Sequence, residues 1–140
     1  MTYLLDTNVL SELRRPQRAD PSVRRWAGQL NLEQAYISVI SVLEIGRGAV
    51  MVSKKDPELS ARLSAWLHSD IVPSYQGRLL DIDLDVAVQC ARFGHVPADH
   101  LADALLAATA IVHEMILVTR NIGDFCDFAV PLLNPWDYAP

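Results

Sequence analysis

Tyr3-Leu4-Leu5-Asp6-Thr7-Asn8-Val9-Leu10-Ser11-Glu12-Leu13 is the stretch that decides how this chain is read. Three apolar residues end at an aspartate, as in a short strand buried on both faces of a parallel sheet. Thr7 or Asn8 can then open a helix carrying Val9, Leu10 and Leu13, which must stop before Pro16. A strand that turns directly into a helix is the start of a βαβ unit.

The same alternation continues outward. Asp20-Pro21 is a cap followed by proline at the first helical position, and it predicts a helix with Val23, Trp26 and Leu30 inward. Ala35 to Val39 has strand composition. Ser41 can cap the next helix, with Glu44 three residues later as its capping-box partner. Asp56-Pro57 opens a helix through Leu59, Leu63, Trp66 and Leu67. Leu79 to Ile82 reads as a strand, and Asp83 caps a helix bearing Val86, Ala87, Cys90 and Phe93. An alanine-rich helix follows from about Asp99 to His113, then a strand at Met115–Val118 and a last edge strand at Val130–Leu133. Trp26, Trp66, Met51 and Met115 read as core. The expected fold is α/β: one three-layer α/β/α domain over residues 1–140, with a mainly parallel sheet of about five strands and right-handed connections.

Composition narrows the function classes. The chain has 140 residues, 51% hydrophobic and 21% charged, so it can bury a core without disulfides. Cys90 and Cys126 lack zinc or CxxC spacing and read as reduced thiols. Asp6 interrupts the first apolar run, so no leader is expected. The most apolar stretch, Leu101 to Val118, contains Asp103, His113 and Glu114, which argues against a membrane span. A cytoplasmic protein is expected.

Net charge is −5, which by itself disfavours nucleic acid. It is unevenly spread: residues 1–70 carry nine Lys/Arg against eight Asp/Glu, and residues 71–140 carry three against nine. Arg14, Arg15, Arg18, Arg24 and Arg25 crowd one stretch, readable either as a solvated helix face or as phosphate contacts. An acidic total is also what a carboxylate metal site produces.

In open parallel sheets, ligands bind beyond the carboxyl ends of the strands. Asp6 ends the first strand, Glu44 lies a turn past the second, and Asp124 follows the strand ending at Val118. Taken singly, Asp6 reads equally as a helix cap, Glu44 as the partner of Ser41, and Asp124 as a turn residue. Asp103 fits none of these, since Leu101, Ala102, Ala104, Leu105 and Leu106 surround it and a buried carboxylate needs a cation or strong donors. Oxygen ligands converging on one point favour Mg²⁺ or Mn²⁺, and such a site can activate water and stabilise charge on a phosphodiester. His68, His95, His100 and His113 have no metal-ligand spacing.

Leu5-Asp6-Thr7-Asn8-Val9-Leu10-Ser11-Glu12 resembles the opening motif of PIN-domain toxins of the VapC/FitB-like type. Ser41 to Gly46 resembles their second block, Asp103 to Ala110 the third, and Thr119-Arg120-Asn121 through Asp124-Phe125 the fourth, with Asn134-Pro135-Trp136 similar to their tail. The resemblance implies a type II toxin: a Mg²⁺- or Mn²⁺-dependent endoribonuclease acting on RNA. It also implies a homodimer, held inactive by a cognate antitoxin, with DNA contacted only through that antitoxin. Asp6, Glu44 and Asp103 match the three core acids, and Asp124 is taken as the fourth in preference to Asn121. Thr7 matches a supporting hydroxyl, with Thr119 and Asn121 beside it. Arg14, Arg15, Arg18 and Arg120 are candidate phosphate contacts.

Three other readings compete. A silent PIN-like module would bind a partner and cleave nothing. A haloacid-dehalogenase-like phosphotransferase would need an aspartate where Asn8 stands, and a receiver domain a lysine where Arg120 stands.

Overall fold

The computed structural model describes residues 1–140. Its elements alternate along the chain: β1 (Tyr3–Leu5), α1 (Thr7–Leu13), α2 (Pro21–Gln29), β2 (Ala35–Ser38), α3 (Val39–Met51) and α4 (Pro57–Ala65). A widened helical stretch, Trp66–Ile71, leads into the single turn α5 (Val72–Ser74). Then come β3 (Leu79–Leu80), α6 (Leu84–Ala91), α7 (Leu101–Val112), β4 (Ile116–Val118), α8 (Ile122–Phe125) and β5 (Leu132–Leu133).

The strands form one five-stranded sheet in the order β3-β2-β1-β4-β5, and every pair is parallel. Side chains of a strand alternate between faces, and the sheet uses both. Leu5 and Val118 join Val9, Leu10, Trp26, Ile37, Ile45, Leu67 and Ile71 in one core. Their immediate neighbours Leu4 and Leu117 join Leu106, Ala107, Ala110, Met115, Phe125 and Val130 in the other. Helices therefore cover both faces, and the three-layer α/β/α expectation holds. The alanines of α7 keep that helix thin enough to lie close against the sheet, with Ala104, Ala107, Ala108 and Ala110 fully buried.

Several local expectations change. The helix after β2 starts at Val39, capped by Ser38, whose Oγ accepts from the Ile40 N–H at 3.0 Å. Ser41 is thus inside the helix, and no Ser41–Glu44 capping box forms. The edge strands are shorter than the apolar runs that announced them, because only Leu79–Leu80 and Leu132–Leu133 find a pairing neighbour. Met51 is exposed at the end of α3 and is not a core residue, while Trp66 is half-buried and packs against the edge of the first core. No helix is long and apolar enough to cross a membrane.

β1 is central, and the chain steps from it toward β2 and β3, then returns to β4 and β5 on its other side. That reversal opens a crevice beyond the carboxyl ends of β1 and β4. Asp6 and Thr119 are the first residues past those ends, tied by the Asp6 N–H donating to the Val118 carbonyl at 2.9 Å.

Candidate functional site

Asp6 caps α1 at the mouth of the crevice. Its Oδ1 accepts from the Thr7 N–H at 2.7 Å and starts α1. Its Oδ2 accepts from the buried Thr119 hydroxyl at 2.8 Å and from Asn8 Nδ2 at 3.3 Å. The capping bond holds one oxygen and two side chains hold the other.

Thr7 extends the arrangement to the second acid. While its backbone N–H serves Asp6, its hydroxyl donates to Glu44 Oε1 at 2.7 Å and lies 2.9 Å from Ser41 Oγ. Ser41 is fully buried one turn before Glu44 on α3, so the first turn of α1 is clamped to the second turn of α3. Asn8 ties the site to the loop after β4. Its Nδ2 donates to Thr119 Oγ1 at 3.3 Å, and its Oδ1 accepts from the Arg120 N–H at 3.3 Å.

Asp103 lies in the first turn of α7 and keeps 33% of its side-chain surface exposed. The surrounding apolar residues had pointed to full burial. A helix turns about 100° per residue, so Ala104 and Leu106 face the sheet while Asp103 faces the crevice. His100 Nδ1 stands 3.7 Å from Asp103 Oδ2 and its Nε2 is 3.9 Å from Asp99 Oδ2. Asp124 is exposed on α8. Asn121 is also exposed, and its contribution is a backbone N–H donated to Thr119 Oγ1 at 3.0 Å.

The electrostatics couple the four acids. Burial raises the Asp6 carboxyl to about 6, against the hydrogen bonds from Thr119 and Thr7, and the charges of Glu44 and Asp103 raise it further. Burial also raises Asp103, together with the charges of Asp124 and Glu44, while His100 works in the opposite direction. No lysine or arginine pairs with any of the four: the ion pairs of the chain are Arg62–Glu58 and the two contacts of His100. Mutually repelling carboxylates without a protein cation are the donor chemistry of a hard divalent ion. The side chains do not close on one point by themselves, since no three His, Cys, Asp or Glu stand together as a ready-made ion cage. A hard cation held by these acids would keep water among its ligands, as Mg²⁺ commonly does.

The candidate arginines divide by position, Arg120 lying beside the site and the other three apart from it. Arg14 caps the far end of α1, about 10 Å along the helix axis from Thr7 at 1.5 Å per residue. Its guanidinium lies 5.8 Å from the Trp66 ring centroid, in a cleft shared with Arg15 and Arg62. Arg18 is on the short turn that follows. None of the three is brought to the acids. Arg120 is on the loop beside Thr119, with its guanidinium 5.1 Å over the Trp136 ring. Asn8 and Ser41 were the residues that sequence reasoning missed as parts of the site. Both lie inside the recognised blocks, but only the contact of α1 with α3 and with the loop after β4 shows what they hold.

The model of the PIN domain matches residues 3–130. The chain belongs to the PIN-domain family. Over 140 residues it is 37% identical to toxin FitB of Neisseria gonorrhoeae, covering 95% of this chain and 97% of that one. It is 32% identical to VapC ribonuclease Y4jK of Sinorhizobium fredii, covering 97% and 99%. Among solved structures, FitAB bound to an IR36 DNA fragment superposes with a TM-score of 0.84 at 34% identity, over 99% of each chain. The recognition of a VapC/FitB-like PIN domain from four sequence blocks is thereby borne out, and the phosphotransferase and receiver readings are set aside.

Proposed function

We propose that this PIN-domain protein is the toxin of a toxin–antitoxin pair and cleaves RNA with the aid of Mg²⁺ or Mn²⁺. The observation that carries this reading is the gathering of Asp6, Glu44, Asp103 and Asp124, from four separate segments, at the carboxyl edge of the sheet with no protein cation among them. The similarity to a VapC ribonuclease supports the same chemistry.

Asp6, Glu44 and Asp103 would hold the ion, with Asp124 completing the charge. When bound, the cation supplies activation of water and stabilisation of the negative charge that develops on the phosphodiester. The residues of the chain supply geometry. Thr119 and Asn8 orient Oδ2 of Asp6, and Thr7 keeps Glu44 turned toward it. Arg120, whose N–H donates to Asn8, is the phosphate contact this reading favours.

The similarity to FitAB bound to a DNA fragment supports a cognate antitoxin. A homodimer would cover apolar residues left exposed on the helices, Leu43, Val50, Leu84, Val88 and Leu101 among them.

Incubation of a mixed RNA panel with Mg²⁺ or Mn²⁺ tests the proposal against Asp6→Asn and Asp103→Asn. Metal-dependent cutting that disappears in both variants is the expected result. Metal binding with no cutting by the parent protein would overturn it in favour of a silent binding module.

A further inference from the structure

A cleft of about 740 Å³ begins where the carboxylates end. Asp124 and His100 form its inner rim, and His100 also faces Asp103 at 3.7 Å. Outward from that rim, one wall is built by the end of α6 and the segment after it, with Gln89, Arg92, Phe93 and His95; the other carries Asp127 and Phe128. The Phe93 and Phe128 rings pack with centroids 4.7 Å apart at 47° and stay half-buried, while Arg92 and His95 are exposed. Hydrolysis by the four acids requires none of these groups.

Their chemistry is that of a nucleotide site. The volume falls in the ~300–1,000 Å³ range of small-ligand pockets. Aromatic faces offer a base something to stack on, and this serves single strands because the faces and edges of paired bases are already occupied. Arg92 and His95 are cationic or hydrogen-bonding groups in an otherwise acidic half of the chain, which RNA would meet as repulsive. Arg92 Nη1 donates to Gln89 Oε1 at 3.3 Å, leaving the Gln89 NH₂ available as a donor, and Asp127 offers acceptors. Together these can distinguish one base edge from another.

We propose that this cleft seats the unpaired nucleotide adjoining the scissile bond, its base against Phe93 and Phe128 and its phosphate toward Arg92 and His95. The cleft thereby gives cleavage a base preference on one side of the cut. The proposal rests on the ribonuclease reading above. Continuity with Asp124 gives the strand its path: a chain whose phosphate lies at the acids has its next nucleotide at the mouth of the cleft.

Binding can be read without cleavage, using Asp6→Asn protein and a fluorescein-labelled ten-residue RNA, alone or annealed to its complement. The single strand should bind more tightly than the duplex. Phe93→Leu, which retains an apolar side chain against the core, should weaken it about tenfold, the weight of one base–aromatic contact. Arg92→Ala should lower the slope of log affinity against log salt by about 0.7, as the loss of one phosphate contact does for single strands. Lys54→Ala, on an exposed loop, should change neither. Sequencing the ends that the active protein leaves on random RNA should show a base preference that Gln89→Ala and Asp127→Asn flatten. Equal affinity for duplex, or unchanged affinity and salt slope in both cleft variants while Asp103→Asn still abolishes cutting, would overturn the cleft assignment and leave the nuclease standing. Failure of the parent protein to cut any RNA would overturn both.

Discussion

The hydroxyl of Thr119 donates to Oδ2 of Asp6 at 2.8 Å, and the two residues are 113 positions apart in sequence. The bond is buried, and it is the strongest of the hydrogen-bond effects that oppose the upward pull of burial on the Asp6 carboxyl. Thr119 also accepts from Asn8 and from the Asn121 N–H, so one side-chain oxygen links the ends of β1 and β4 to the start of α8. Replacing it with valine keeps the shape and removes the donor. Thr119→Val should lower kcat or metal affinity roughly 10- to 100-fold, the usual cost of losing a group that orients a metal-site ligand. Far-ultraviolet circular dichroism should be unchanged, and Thr119→Ser should restore most of the activity. Full activity in the valine variant would mean that the helix cap alone is enough to position Asp6.

With divalent cations chelated, stability should fall as pH rises. The Asp6 carboxyl titrates at about 6 in the folded chain against an ordinary 3.8, through burial first and then through Glu44 and Asp103. Between those values the folded state holds a proton that the unfolded chain has released, so protons favour folding and the advantage is lost as pH climbs through the folded value. At 1.36 kcal/mol per pH unit, the full loss is on the order of 3 kcal/mol, about half of it between pH 5 and pH 8. Asp103, also raised, acts in the same direction. Melting curves in chelator should therefore give a lower Tm at pH 8 than at pH 5, and Asp6→Asn should remove much of the difference. A parent protein equally stable at both values would contradict this account of the site.

Arg14, Arg15 and Arg18 lie at or beyond the far end of α1 from Thr7. Their separate replacement by alanine should leave kcat/KM within about a factor of two, the scale of ordinary surface substitutions. Arg14→Ala should still cost some stability, because the guanidinium rests over Trp66. A tenfold loss of cleavage in any of the three would return the basic stretch to the substrate path.

Helix α7 is followed two residues later by Glu114 in the left-handed region at φ 55°. That conformation strains a residue with a Cβ and suits glycine. Glu114→Gly relieves about 1–2 kcal/mol of left-handed strain and loses about 0.4–1 kcal/mol to unfolded-chain entropy. Stability should therefore rise by up to about 1 kcal/mol and Tm by about 2–4 °C. Differential scanning calorimetry would show it, and a lowered Tm would refute it.

Local sequence determined much of this protein. Apolar runs located the five strands, Asp-Pro pairs marked where α2 and α4 begin, and four short blocks identified the family. These signals are short-range, since strand burial, helix capping and motif spacing depend on residues within a few positions of one another. The tertiary structure decided the rest, because it depends on which ends of which elements the sheet order brings together. The sequence pointed to Ser41 as the cap, but the start of α3 took Ser38 instead and left Ser41 to meet Thr7. The phase of α7 turned Asp103 toward solvent despite its apolar neighbours, and the length of α1 carried the arginines away from the acids. The pairing of β1 with β4 gave Asp6 its donor from Thr119, a partnership that no local pattern encodes.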